Sequence, residues 1–92
     1  MIPRFTVEAL AHIANIHSYI ADRSQRAAAH VVGRIFAEAD RLAEFPHLGR
    51  AGQVSATYER IVPGLPYIIV YQSDRAYPLL ILGVYHGARQ HR

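Results

Sequence analysis

The sequence predicts an α+β fold, in which an N-terminal antiparallel helix hairpin packs on one face of a C-terminal antiparallel sheet. The last third of the chain, from about Tyr58 to Arg89, contains apolar runs separated by Pro, Gly, Ser and Asp. Such runs of β-branched and aromatic residues are typical of strands. In the first half, apolar residues recur at the spacing of amphipathic helices instead. These helices supply the layer that covers the apolar face of the sheet.

The first helix is predicted from Val7 to near Asp22. Thr6 is a suitable N-cap, and Glu8 places a negative charge in the first turn, where the helix dipole favours it. The segment before it, Ile2 to Phe5, contains a proline and therefore fits an edge strand or a lead-in rather than a central strand. The predicted apolar stripe of this helix consists of Leu10, Ile13, Ala14, Ile16, His17 and Ile20.

A second helix is predicted from Gln25 to Glu44, with Ser24 as its N-cap and Pro46 beyond its end. The linker between the helices is so short that they must form an antiparallel hairpin. Gly33 marks either a close contact with the first helix or a tolerated substitution, since glycine costs a helix about 1 kcal/mol relative to alanine. The predicted stripe of this helix consists of Ala28, Val31, Val32, Ile35, Phe36, Ala39 and Leu42.

Three strands follow a loop over residues 46–55, and we expect them at 58–62, 67–72 and 79–85. Their connections are too short for a parallel crossover, which needs about a dozen residues, so the strands form an antiparallel meander. With the N-terminal segment as a further edge strand, the order of elements is (β)ααβββ. The length of 92 residues predicts one domain spanning 1–92.

The composition is unusually apolar for so small a chain. Hydrophobic residues make up 51% and charged residues 18%, against an average of about 25% charged. Some of the apolar excess should remain exposed, and exposed apolar patches are usually binding sites. The absence of cysteine suits a cytoplasmic protein, and the absence of a long apolar run or a leader argues against membrane or secreted proteins.

All ten basic residues are arginines, and the net charge is +3. This reflects either a codon bias or a surface built for bidentate contact with carboxylates or phosphates, which arginine makes better than lysine. A mildly basic chain suits an acidic protein partner and a nucleic acid equally well.

Four segments in order resemble those of a known family. They are Phe5 to Leu10 (FTVEAL), Ala43 to Arg50 (AEFPHLGR), Tyr67 to Tyr71 (YIIVY) and Ile81 to Arg89 (ILGVYHGAR). They are similar to the strand-to-helix start, the "FPxxGR" segment, the "YxIxY" strand and the closing "ILRVxHGAR" of the RelE/ParE toxin superfamily. The resemblance spans nearly the whole chain and agrees with the fold expected from periodicity.

This resemblance implies the toxin half of a bacterial type II toxin–antitoxin pair, with growth inhibition and plasmid stabilisation as its effects. A cognate antitoxin protein is the implied partner, bound in a hetero-oligomer in the cytoplasm, and no cofactor is expected. The superfamily has two branches. One cuts messenger RNA on the ribosome, and the other, ParE-like, poisons DNA gyrase without known catalytic chemistry.

An endoribonuclease would need an acid or base and cations for the phosphate. His86 could serve as acid or base, Arg60 and Arg89 as phosphate clamps, and Tyr71 or Tyr85 as a stacking or acidic group. The plainer alternatives are a terminal histidine, an antitoxin contact at the arginine on the strand, and sheet packing by the tyrosines. The residues expected to contact an antitoxin or a target are Arg50, Arg60, Tyr71, Tyr85, His86 and Arg89.

One departure favours the ParE-like branch. Ribonuclease members typically carry an arginine directly after the first tyrosine of the "YxxxY" strand, and this chain has Ile68 there.

The remaining histidines, such as His12 and His17 on the first helix, show no metal-site spacing, so no metal is expected. A nucleic-acid-binding module is a third hypothesis, but the second helix mixes arginines with Glu38, Asp40 and Glu44. Direct sequence-specific DNA binding is therefore not expected.

Overall fold

The computed structural model describes residues 2–76 and 78–87. It has two helices followed by the strands of a mixed sheet, which confirms the predicted α+β class and the (β)ααβββ order. The elements are β1 (Arg4–Phe5), α1 (Val7–Ala21), α2 (Gln25–Glu44), a 3₁₀ turn (Pro46–Leu48), β2 (Arg50–Ala51), β3 (Thr57–Ile61), β4 (Tyr67–Gln72) and β5 (Leu80–His86).

Both helices begin where the sequence predicts, because a side-chain oxygen caps each first turn. Thr6 Oγ1 accepts a hydrogen bond of 3.0 Å from the backbone N–H of Ala9. Ser24 Oγ accepts one of 3.0 Å from Ala27. The bounds of α2 are confirmed, and α1 ends at Ala21, with Asp22 as its C-cap.

The buried face of α1 differs from the predicted stripe. Ile13 is buried and Ile16 and Ile20 are half-buried, as predicted. The stripe also included Leu10, which is 48% exposed, and Ala14 and His17, which are exposed, and it omitted Ala9, which is buried. Periodicity alone does not show which side of the predicted stripe faces the sheet. Only the contact with the sheet decides which of these residues are buried. In α2 the prediction holds better, although Phe36 lies at the margin, where its ring meets Phe5 edge-on at a centroid distance of 5.3 Å. That helix stripe is confirmed at Ala28, Ile35, Ala39 and Leu42.

The sheet has the strand order β1-β5-β4-β3-β2. The predicted antiparallel meander of β3, β4 and β5 is confirmed, and β1 joins it parallel to β5, with Arg4 opposite Leu80. Thr6 strengthens this junction because its hydroxyl donates to the carbonyl oxygen of Ile81 at 3.2 Å. Strand β2 was not predicted. It lies within the expected loop and pairs with residues 58–59 of β3.

The core lies between the helix hairpin and one face of the sheet. Its largest fully buried side chains include Ile35 and Leu42 from α2, and Ile69, Tyr71 and Ile81 from the sheet. Gly33 does not contribute to it: a Cβ atom there would meet nothing within 4 Å. Gly33 therefore does not mark a close contact with the first helix. The alternative, that a glycine is tolerated at this position, is correct.

The other face of the sheet is not covered by the helices, and we call it the open face. Strand pairing places Ile61 opposite Ile68, and Ile68 opposite Tyr85, on this face, with Val70 two residues along. Ile61 is 52% and Tyr85 39% exposed. Among residues 57–61, 67–72 and 80–86, the only acidic or basic side chain placed on the open face by the pairing is Glu59.

Arginines lie at the two edges of the open face. Arg4 pairs in register with Leu80 on β1, and Arg50 with Glu59 on β2, so both share the side of the sheet opposite the helices. Both side chains are exposed. The open face therefore has an apolar centre flanked by positive charge. Within residues 2–76 and 78–87, neither helix is long and apolar enough to span a membrane.

Candidate functional site

Arg60, a candidate phosphate clamp, points to the helix side of the sheet. Its partner across β4 is Ile69, a core residue. Its Nε donates a hydrogen bond of 2.8 Å to Oε2 of Glu38, and the two side chains are 24% and 8% exposed. The arginine thus neutralises a buried carboxylate of α2, which would be costly to leave unpaired.

Tyr71 connects two of the sequence motifs that carry the family resemblance. It is fully buried, and its hydroxyl donates to the carbonyl oxygen of Pro46 at 2.6 Å and accepts from the N–H of Gly49 at 2.9 Å. A Cβ atom at Gly49 would overlap the Tyr71 hydroxyl, so the close approach of these residues requires glycine. We call these three residues the Tyr71 latch. The "FPxxGR" and "YxIxY" segments meet here in a structural contact.

The latch also affects the ionisation of Tyr71. Burial raises the pKa of its hydroxyl above the ordinary value, and the hydrogen bond from Gly49 and the charge of Arg60 only partly oppose this. Desolvation disfavours the phenolate because a charged group is stabilised less in the protein interior than in water. Tyr71 is therefore a neutral hydroxyl at physiological pH, with both bonds of the latch intact.

Arg50, which follows the latch, is the most exposed of the candidate side chains in the described strands. Its guanidinium nitrogen lies 3.9 Å from a carboxylate oxygen of Glu59, and the two side chains are 73% and 12% exposed. At that distance and exposure the pair contributes little to stability. Arg50 therefore keeps most of its surface available to a partner.

Tyr85 and His86 line a cleft where α1 lies beside the end of β5. The cleft has a volume of about 380 Å³. The Tyr85 ring packs against His12 at a centroid distance of 4.8 Å, and the His86 ring meets Tyr67 edge-on at 5.4 Å. The other lining residues are Asn15, Ile16, Tyr19 and Val84.

The three residues expected to act in a nuclease are not seen together. Arg60 lies on β3 and His86 on β5, so the whole width of β4 separates them, about two interstrand spacings or roughly 10 Å. Each is also held by a neighbour: Arg60 by Glu38 and His86 by the ring of Tyr67. Arg89 lies outside the described residues. Within residues 2–76 and 78–87, no group of three or more potential metal ligands occurs.

Sequence reasoning missed two residues that shape these surfaces. His12, noted from sequence only as a first-helix histidine without metal-site spacing, accepts a hydrogen bond of 3.2 Å at Nδ1 from the backbone N–H of Val84, at the edge of β5. No local pattern could indicate this, because the two residues are far apart in sequence. Glu38 did carry a signal: it lies in the apolar stripe of α2, between Ile35 and Leu42, where a carboxylate needs a partner.

This chain is similar in sequence and in fold to known proteins of toxin–antitoxin systems. A family described as "ParE toxin of type II toxin-antitoxin system, parDE" matches residues 4–91. The protein "Putative toxin Y4kP" of Sinorhizobium fredii is 40% identical over 87 residues, covering 95% of this chain and 88% of the relative. A solved structure titled "Chromosomal ParDE TA system from P. aeruginosa" shares the fold with a TM-score of 0.82 at 18% identity, covering 94% of this chain and 95% of that one.

The fold and the sequence match together define a toxin of a type II toxin–antitoxin system. Within that class, the chain belongs to the ParE toxin family. The expected resemblance to the RelE/ParE superfamily is thereby confirmed, and so is the preference for the ParE branch.

Proposed function

We propose that this toxin poisons DNA gyrase in the cytoplasm and is neutralised by a cognate antitoxin. The observation that carries the proposal is the position of Ile68. Where ribonuclease relatives carry a phosphate-binding arginine, this chain has an isoleucine at the centre of the open face, between Ile61 and Tyr85 in the strand pairing. An apolar side chain there cannot stabilise the charge that develops on a phosphate during cleavage.

The arginines of the described strands support the same conclusion. Arg60 balances Glu38 on the helix side, and Arg4 and Arg50 lie at opposite edges of the sheet. Separated in this way, they provide contact area and positive charge for a macromolecular partner but no convergent phosphate site. A poison that acts by binding needs only contact area and charge, and it does not need a phosphate site.

The open face supports an antitoxin partner with a specific chemistry. Its apolar centre and its flanking arginines suit a segment that is amphipathic and acidic at its margins. Such a segment would be disordered when free and would fold on binding, burying a large area for its length. The antitoxin assigned by this proposal therefore covers Ile61, Ile68 and Val70 and places carboxylates near Arg4 and Arg50.

Brief induction of the toxin in its host tests the target. Gyrase-linked double-strand breaks and an SOS response before any loss of messenger RNA are the expected result. Purified toxin should also trap gyrase on DNA as a cleaved complex. Messenger ends cut at codon positions within translating ribosomes, with supercoiling intact, would overturn the proposal in favour of the endoribonuclease.

His86→Ala provides a second, independent comparison. In a gyrase poison that uses no acid–base chemistry, this change should leave growth inhibition within about threefold of the parent. In a nuclease it should abolish cleavage, because acid–base catalysis typically contributes about 10²- to 10⁴-fold. Antitoxin binding by the variant shows that the fold has survived.

A further inference from the structure

The cleft between α1 and the end of β5 has features that neither gyrase poisoning nor antitoxin binding requires. We propose that it binds a nucleobase, from a free nucleotide or from single-stranded nucleic acid, with the attached phosphate lying toward Arg23. This inference goes beyond the proposed function and does not depend on it.

The size and walls of the cleft fit a planar ring. Its volume of about 380 Å³ lies in the range of small-molecule sites, about 300–1,000 Å³. Tyr19, Tyr67 and Tyr85 and the imidazoles of His12 and His86 line it. Aromatic side chains of these types are the groups on which proteins stack unpaired bases, since every base presents a π-face.

The polar groups of the cleft favour a base over an aliphatic side chain. Because the Val84 N–H can only donate, His12 must accept through an unprotonated Nδ1, and the ring proton of the neutral imidazole is then on Nε2. Asn15 adds a side-chain amide, which offers both a donor and an acceptor. Neither the Asn15 amide nor His12 Nε2 has a hydrogen-bond partner within residues 2–76 and 78–87. An aliphatic ligand would bury these groups unpaired, at a cost that a base edge avoids.

The charge around the cleft suits the phosphate of a nucleotide. None of the described residues that line it is acidic. The guanidinium carbon of Arg23 lies 5.4 Å from the centroid of the Tyr19 ring, at the margin of the cleft. A base stacked near Tyr19 would therefore carry its phosphate toward a cation, and Ile16 and Val84 provide apolar contact beneath the ring.

The test is a titration of the full-length, isotope-labelled protein followed by ¹H–¹⁵N NMR. AMP is the ligand, and ribose 5-phosphate, which lacks the base, is its matched control. We expect AMP to shift the resonances of Asn15, Val84 and Tyr85, with ribose 5-phosphate leaving them unchanged. A short single-stranded oligonucleotide of thymidine forms the second arm. Tighter binding of the oligonucleotide identifies a polymer as the source of the base, and equal or weaker binding identifies a free nucleotide.

Two variants make the assignment specific. Tyr85→Leu and Tyr19→Leu should each weaken AMP binding by about tenfold, the usual size of a lost stacking contact. Phe45→Leu makes the same kind of change at an aromatic residue that is 40% exposed at the far end of α2, and it should leave the affinity unchanged. Circular dichroism confirms that each variant is folded, and Tyr19, which is 57% exposed, is the safer of the two cleft positions.

Three outcomes would overturn the proposal. Equal shifts with AMP and ribose 5-phosphate would mean that only the phosphate binds. AMP shifts that map away from the cleft, or that Phe45→Leu reduces as much as Tyr85→Leu, would place the base elsewhere. Shifts in the cleft with an antitoxin peptide but with no base-containing ligand would assign the cleft to a protein partner. Each result leaves the gyrase experiment unaffected, so the two proposals can fail separately.

Discussion

At the scale of single residues, the Tyr71 latch explains why two separated motifs accompany each other. The tyrosine hydroxyl is buried, so it needs partners, and the Pro46 carbonyl and the Gly49 amide supply them. Because the loop that carries these partners leads directly into β2, the latch also fixes the edge of the sheet that presents Arg50. The two motifs therefore meet in a structural contact that lies directly before the strand carrying Arg50.

Replacing Tyr71 by phenylalanine should lower the free energy of unfolding by about 1–3 kcal/mol. The change leaves the Gly49 amide and the Pro46 carbonyl without their buried partner, and an unpaired buried group costs about that much. Urea denaturation measures the loss. Tyr58→Phe is the matched control, since that ring packs beside Tyr71 at 5.7 Å on the same face and should change stability by less than about 0.5 kcal/mol. Equal losses at both positions would show that the latch contributes nothing.

The raised pKa of Tyr71 predicts a dependence of stability on alkaline pH. Burial holds the folded-state pKa above the unfolded value of 10.0, so the folded protein binds this proton more tightly than the unfolded chain. The resulting stabilisation is complete below pH 10 and is lost as the pH rises through the folded pKa. Unfolding free energies measured between pH 8 and about pH 11.5 should fall at the upper end. The Tyr71→Phe variant should show a smaller fall, and an identical slope in the two proteins would contradict the assignment.

The role of Arg60 can be tested by measuring stability and toxicity together. Removing it leaves the buried Glu38 carboxylate without its partner. Breaking a buried pair in this way costs about 3–5 kcal/mol, and less here because Arg60 is partly exposed. Arg60→Met alone should therefore destabilise the fold. The double variant Glu38→Leu with Arg60→Met removes both charges and should recover most of the stability.

Growth inhibition by the double variant then separates the two roles of Arg60. If Arg60 acts only through Glu38, toxicity returns with stability. A stable double variant without toxicity would identify Arg60 as a contact with the target or as a phosphate clamp, as one interpretation of the sequence holds. Thermal melting of the purified proteins, combined with plate growth after induction, distinguishes these outcomes.

At the scale of elements, the sequence predicted the helices well because helix signals are local. Thr6 and Ser24 cap the first turns through bonds to residues three positions away, and Pro46 follows two residues after the end of α2 at Glu44. The meander was predictable for the same reason, since its short connections allow only antiparallel neighbours. The errors in the stripe of α1, at Leu10 and at Ala14, His17 and Ala9, arose because periodicity gives a stripe but not the direction in which the sheet lies.

The elements and contacts that could not be predicted depend on distant parts of the chain. Strand β2 has only two residues, and it exists because β3 offers a free edge and the Tyr71 latch delivers the chain to it. The parallel pairing of β1 with β5 joins the two ends of the chain. The partners of Arg60 and His12 are likewise long-range, so the candidate site was predicted as a set of residues and not as an arrangement.

The core face of α2 gives a prediction at this scale. Ile35 and Leu42 are both fully buried, and replacing either by alanine should cost about 2–5 kcal/mol, the transfer term plus the cavity left behind. Val7→Ala provides the exposed control, because that side chain is 80% exposed, and its effect should be within about 0.5 kcal/mol. Losses under 1 kcal/mol at both buried positions would be incompatible with the packing described here.

At the scale of the whole molecule, the hairpin and the sheet divide the surface into regions with different chemistry. The helix side of the sheet is used for the core and for the Glu38–Arg60 pair, whereas the open face keeps its apolar side chains partly exposed. The aromatic cleft lies at the end of β5, beside α1. This division accounts for the apolar excess noted in the sequence: a chain that covers only one face of its sheet must leave the other available.

The open face should therefore be the surface that the cognate antitoxin covers, and a charge placed there should interfere with binding but not with folding. Ile61→Asp is the chosen change, since Ile61 is 52% exposed and lies opposite Ile68. A carboxylate buried against an apolar partner segment, and facing its acidic margins, should weaken binding by at least about tenfold, or 1.4 kcal/mol.

Val54→Asp is the matched control for this measurement. Val54 is 68% exposed but lies in the turn before β3, outside the open face. Isothermal titration of each purified variant with the antitoxin encoded by the neighbouring gene gives the affinities, and thermal melting confirms that both variants are folded. The expected order is a clear loss for Ile61→Asp and none for Val54→Asp. Full affinity in the Ile61 variant would mean that the antitoxin binds elsewhere, and the apolar centre of the open face would then be available to the target itself.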